Sequence, residues 1–121
     1  MSIMATGRVD VDALRLAFAT RDRALALELY ADDASVEVIN VLNPPSAPLR
    51  LCGRREIGAP LDHVFAREMT HEVDIVVASP DALGYVLRCT DADGTKVVCA
   101  AMSVVADGRI VHEVGVQAWD S

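Results

Sequence analysis

The stretch from Leu29 to Val38 holds the sharpest change of period in the chain. Upstream, Val11, Leu14, Ala17 and Phe18 recur at helical spacing, and Ala24, Leu25, Leu27 and Leu29 form a second apolar stripe. Downstream, Val36, Val38 and Asn40 fall on one face of a strand, with Glu37, Ile39 and Val41 on the other. Two amphipathic helices that run straight into a strand need a sheet to cover. This restricts the chain to an α+β layer.

The remaining pattern fills in that layer. Residues 1–9 read as a flexible leader and residues 10–121 as one domain. Asp10 or Asp12 can cap the first helix and Asp22 the second, because a carboxylate there accepts orphan backbone N–H groups. Asn43 to Gly53 carries Pro44, Pro45 and Pro48 and reads as a loop. Ile57, Leu61, Val64 and Phe65 mark a third helix with Pro60 inside the pattern. Either the helix kinks there, or a turn covers Arg54 to Gly58 and the helix starts at Pro60; the second reading is preferred. Four strands follow. His71, Val73, Ile75 and Val77 alternate on one face, Leu83 to Thr90 makes the next strand, Lys96 to Ala106 reads as central, and Arg109 to Trp119 closes the chain.

Composition narrows the class. At 121 residues and 52% hydrophobic, the chain supports one cored domain. A formal net charge of -7 argues against a nucleic-acid footprint or an anionic membrane surface. Cys52, Cys89 and Cys99, odd in number and without close spacing, read as reduced thiols rather than a disulfide or zinc framework. Met69 and Met102 read as core filler. No apolar run reaches membrane-spanning length and no signal-peptide core opens the chain, so a cytoplasmic location is expected.

Three motifs, in order, carry a resemblance. Tyr30-Ala31-Asp32-Asp33-Ala34-Ser35-Val36-Glu37 resembles the helix-to-strand junction of the nuclear transport factor 2-like superfamily, which includes SnoaL-like and ketosteroid isomerase-like domains. Gly53-Arg54-Arg55-Glu56-Ile57 resembles the start of its third helix, and Asp107-Gly108-Arg109-Ile110-Val111 its last hairpin. The resemblance implies a cone: a curved antiparallel sheet wrapped around an apolar pocket, closed by three helices from the N-terminal half. It also implies a homodimer through the outer sheet face, where Val114, Val116 and Ala118 would lie. Fold does not fix function here. In a ketosteroid isomerase an aspartate base works with a tyrosine and a protonated aspartic acid; the resemblance puts these roles at Val38, Leu14 and Ser103, none of which can perform them. A limonene-type epoxide hydrolase would need carboxylates near Thr90 and Gly115 beside Arg88, so that match is poor too.

The candidate site follows from the last strand. Polarity alone turns Val114, Val116 and Ala118 inward; the spacing implied by the resemblance turns Glu113, Gly115, Gln117 and Trp119 inward instead, since one residue of slip reverses every side chain. The second assignment makes Glu113 a carboxyl on an apolar wall, with a raised pKa suited to acid–base work; a surface or ion-paired glutamate is the alternative. His71 joins it as a second catalytic candidate and acid–base partner, or else is a structural histidine. His63 and His112 are bystanders. Asn40, Tyr85, Ser103, Gln117 and Trp119, with Val38 and Phe18, are the candidate substrate-binding residues. Tyr85 is equally a packing residue, and a different hairpin length would turn Arg88 inward in its place. Asp32 and Asp33 read as turn and cap residues. No metal-ligand cluster or phosphate loop is present. The function expected is cofactor-independent chemistry (isomerase, cyclase, dehydratase or hydrolase) on a small apolar polyketide-, terpenoid- or steroid-like molecule. The alternative is a noncatalytic binding or dimerisation module.

Overall fold

The computed structural model describes residues 7–120. Helix α1, Val11–Ala19, starts where Asp10 Oδ1 accepts the Ala13 N–H at 3.0 Å. Helix α2, Arg23–Glu28, starts where Asp22 Oδ1 accepts the Leu25 N–H at 3.1 Å. These caps satisfy donors that the first helical turn leaves open. The two helices bury Leu14, Ala17, Phe18, Ala26 and Leu27. Of the leader expected over residues 1–9, residues 1–6 lie outside the described part. Val9 is buried, and the Gly7 carbonyl accepts the Gly108 N–H at 3.0 Å.

Strand β1, Tyr30–Ile39, follows α2 after Leu29 alone. The proline-rich segment contains an unexpected edge strand, β2, Leu49–Cys52, antiparallel to Ser35–Val38. Its four residues lie beyond Pro48, where the backbone again has donors to offer. Helix α3, Gly53–Phe65, corrects the expected start at Pro60. Arg54 holds its first turn against β1, donating through Nε (3.0 Å) and Nη2 (2.6 Å) to the Tyr30 carbonyl and pairing with Asp32 at 3.0 Å. Glu56 Oε1 accepts the Cys52 N–H at 2.7 Å. Pro60 sits inside the helix, removing the donor that would face the carbonyl of exposed Glu56, where water can replace it.

The last four strands are β3 (Met69–Ser79), β4 (Ala82–Asp91), β5 (Lys96–Ala106) and β6 (Arg109–Trp119). The sheet order is β2-β1-β6-β5-β4-β3, with β1 and β6 parallel and the other pairs antiparallel. The fold is therefore α+β, three helices against a curved, mixed, unclosed six-stranded sheet.

Two bulges decide which side chains enter the core. In β3 the register slips between Val73 and Val76, so Asp74 and Ile75 both lie outside. Ile75 and Val77, expected beside His71 and Val73, are 57% and 70% exposed on the outer face. In β6 an extra residue, Val111, lets Ile110 and Glu113 both point inward. Met102 is a further correction: it is 66% exposed on the outer face rather than packed in the core.

The ladder stacks the inner residues in rows. Ile110 and Val105 close the bottom. Above them come Val36, Glu113, Ser103 and Leu83, then Val38, Gly115, Ala101, Tyr85 and Val76. Gln117, Cys99, Leu87 and Val73 form the next row, and Trp119, Val97, Cys89 and His71 the uppermost.

Candidate functional site: a buried carboxyl ringed by hydroxyls

Glu113 is 7% exposed and sits low in the cone. Its Oε2 accepts the Tyr30 hydroxyl at 2.9 Å, and its Oε1 accepts the Tyr85 and Ser103 hydroxyls, each at 3.3 Å. Each partner arrives from a different strand. Ser103 is the residue directly opposite on β5, Tyr85 reaches down from the row above on β4, and Tyr30 starts β1. Parity places Tyr30 on the face of buried Ala34 and Val36, although the β1–β6 register slips between Tyr30 and Ser35.

Burial is the largest influence on this carboxyl and raises its pKa; the hydrogen bonds from Tyr30, Ser103 and Tyr85 pull it back. Burial beside Glu113 pushes both tyrosines well above their ordinary value. They therefore stay protonated throughout the neutral range and act as donors. The cluster is a carboxyl able to hold or accept a proton, beside two phenols that can stabilise negative charge.

His71 does not form the expected couple with Glu113. It belongs to the row of Trp119, six residues further along β6, or roughly 20 Å of strand. Its Nδ1 lies 3.1 Å from Cys89 Sγ, and Phe18 stands between, with ring centroids 6.3 Å from His71 and 6.4 Å from Tyr85. Burial and the Arg21 charge lower its pKa.

The other candidates divide. Tyr85 faces inward, whereas Arg88 lies outside with Asp74 at 2.8 Å. Asn40 Nδ2 donates to Gln117 Oε1 at 3.0 Å, but Asn40 Oδ1 is occupied by the Leu42 and Asn43 N–H groups (2.9 and 2.8 Å) and shapes the turn. Val38, Gln117, Cys99 and Val97 face inward and are only partly buried, and Trp119 is 36% exposed, so the interior opens on that side. Phe18 is buried. Leu14, at the position of the isomerase tyrosine, is 1% exposed within the core. Asp32 lies in β1 and pairs with Arg54, Asp33 is exposed, His63 is exposed, and His112 Nδ1 meets Ser35 Oγ at 2.7 Å outside. Among the described residues, no helix is long and apolar enough to cross a membrane.

Tyr30 and Arg54 are the residues that the sequence reading missed as parts of this site. Tyr30 was detectable by extending the Val36 parity backwards through Ala34.

Solved structures share the architecture. An NTF2-like protein of unknown function from Mesorhizobium loti superposes with a TM-score of 0.73 at 22% identity, covering 89% of this chain and 87% of that one. A Kribbella flavida protein, provisionally assigned as a ketosteroid isomerase, gives 0.71 at 16% identity, covering 92% and 75%. A computationally designed 17-OHP binder gives 0.65 at 25% identity, covering 91% and 89%. No curated protein sequence matches the chain. The sequence profile of the SnoaL-like domain matches residues 11–113. With that span and this fold, the chain belongs to the SnoaL-like domain family of the nuclear transport factor 2-like superfamily.

Proposed function

We propose that the interior of the cone is a cofactor-independent acid–base site for a small, largely apolar molecule. The observation that carries this reading is the inward-facing, buried Glu113 carboxyl with three hydroxyl donors around it. In the catalytic form, Glu113 takes a proton from the ligand. Once neutral, the carboxyl holds the tyrosine hydroxyls less strongly, and Tyr85, one row nearer the opening, can donate to an oxyanion developing on the ligand. Isomerisation, cyclisation, dehydration and hydrolysis all fit that pairing of base and donor. The ketosteroid isomerase arrangement does not, because Val38 and Leu14 occupy its base and tyrosine positions. The 17-OHP binder supports a polycyclic apolar ligand as the first class to try. Gln117, Val38 and Trp119 would contact it near the opening.

The test is a thermal-shift screen of polyketide-like aromatics, terpenoids and steroids, followed by turnover assays on the hits. Glu113→Gln keeps binding and loses turnover; unchanged turnover in that variant removes the mechanism.

A second reading is a noncatalytic binding module. It is favoured by the same carboxyl, whose oxygens are already matched by hydroxyls of the chain itself. Hits that bind with no chemical change in any assay would select it.

The outer sheet face supports a homodimer. Val116 (49% exposed), Ile75, Val77, Met102 and Val104 extend the Val114–Ala118 surface, and an apolar groove of about 400 Å³ crosses β3 to β5 there.

A further inference from the structure

The uppermost inner row holds a polar atom that the acid–base reading does not use. His71 is 5% exposed, and its Nε2 is buried with no hydrogen-bond partner among the described residues. Unpaired buried donors and acceptors are uncommon in folded proteins and call for an explanation. The other ring nitrogen fixes what Nε2 carries. Cys89 Sγ lies 3.1 Å from Nδ1. Burial pushes the Cys89 thiol up to about 11, so it keeps its proton. A protonated thiol at that distance can donate to Nδ1, an arrangement that leaves the imidazole proton on Nε2. The same burial, with the Arg21 charge, keeps the ring neutral.

The surroundings define what can meet that N–H. Phe18 and Phe65 stand beside the ring, with centroids 6.3 and 5.6 Å away, and Met69, Leu87 and Cys89 are buried on the same inner face. A water molecule needs two to four polar partners, and the side chains of Phe18, Phe65, Met69 and Leu87 supply none. A single oxygen on an apolar body needs only one. Phe65, the last residue of α3, touches the imidazole and is itself partly exposed.

We infer that His71 is a neutral hydrogen-bond donor that anchors the carbonyl oxygen of an apolar ligand, a cyclic ketone in the simplest case, with Cys89 selecting the tautomer. This rests on the reading that the cone interior takes a small apolar molecule. It gives His71 a positioning role separate from Glu113, at the opposite end of the inner rows.

The experiment uses long-range ¹H–¹⁵N spectra of the full-length protein. In the free protein at neutral pH, Nε2 gives a pyrrole-type and Nδ1 a pyridine-type resonance; the reverse tautomer or an imidazolium overturns the inference with no variant needed. Titrations with 2-tetralone and 1-indanone, each against its parent hydrocarbon, then read the anchor. The ketones bind about tenfold more tightly and move the Nε2 resonance. His71→Leu removes the preference while the hydrocarbons still bind, and His71→Gln, which carries an N–H at similar reach, retains it. Ketones and hydrocarbons that bind alike, or an Nε2–H resting on the Phe65 ring and unmoved by ketone, overturn this inference alone. If neither ketones nor hydrocarbons bind, the reading of the interior as a ligand site falls with it.

Discussion

Tyr30 and Glu113, 83 residues apart in the chain, meet at 2.9 Å through a hydroxyl and a carboxyl oxygen inside the cone. This contact joins the first strand to the last, and both groups are enclosed. Removing the hydroxyl leaves a buried acceptor short of a donor. Tyr30→Phe is expected to lower stability by about 1–3 kcal/mol. Tyr85→Phe, whose contact is longer at 3.3 Å, should cost less. Urea titrations of the two variants check the order; a larger loss for Tyr85→Phe would contradict the geometry.

Burial raises the Glu113 pKa above its ordinary 4.5. The folded protein therefore binds this proton more tightly than the unfolded chain does. Its contribution to stability is fully present below about pH 4.5 and is lost as pH rises through the folded value. His71 acts in the opposite sense: its lowered pKa makes stability grow as pH rises toward its ordinary 6.5. Subtracting the Glu113→Gln curve from wild type cancels the histidine. The difference should fall steadily with pH above 4.5; a difference that rises would reverse the assignment.

The three thiols should react in a fixed order. Cys52 is exposed, while burial raises Cys89 to about 11 and Cys99 to about 12. Only thiolates alkylate readily. Brief iodoacetamide treatment of native protein should give a single adduct at Cys52 by peptide mass mapping, and all three after denaturation.

The outer face predicts a concentration-dependent dimer. Met102→Lys with Val116→Lys places two charges on exposed apolar positions without touching the inner rows. Sedimentation should show the double variant as monomer with its far-UV spectrum intact. Unchanged sedimentation would move the interface elsewhere.

Much of this architecture could be read from the residues, and what could not has a common cause. The helix caps at Asp10 and Asp22, the helix-to-strand change around Tyr30 and the inward turn of Tyr85 follow from local chemistry and simple periodicity. Ile75, Val77 and Met102 did not. The bulge at Asp74–Ile75 breaks the alternation of β3. Met102 is an apolar residue on a face that the fold leaves uncovered. Strand β2 was hidden because four residues beside three prolines carry too little pattern to outweigh them. The supposed His71–Glu113 couple failed because a shared face says nothing of distance along the strands.

The bulge at Val111 also bears on how such sites change in lineages. It is one residue long, and alternation resumes on either side of it. Deleting Val111 would leave Ile110 opposite Val105 and Glu113 opposite Ser103, both still inward, whereas straightening the bulge with every residue kept would turn the carboxyl outside and Val114 and Val116 within. A slip of register, not a change of length, thus separates a cone with a carboxyl in its floor from one that would carry His112, Val114 and Val116 there.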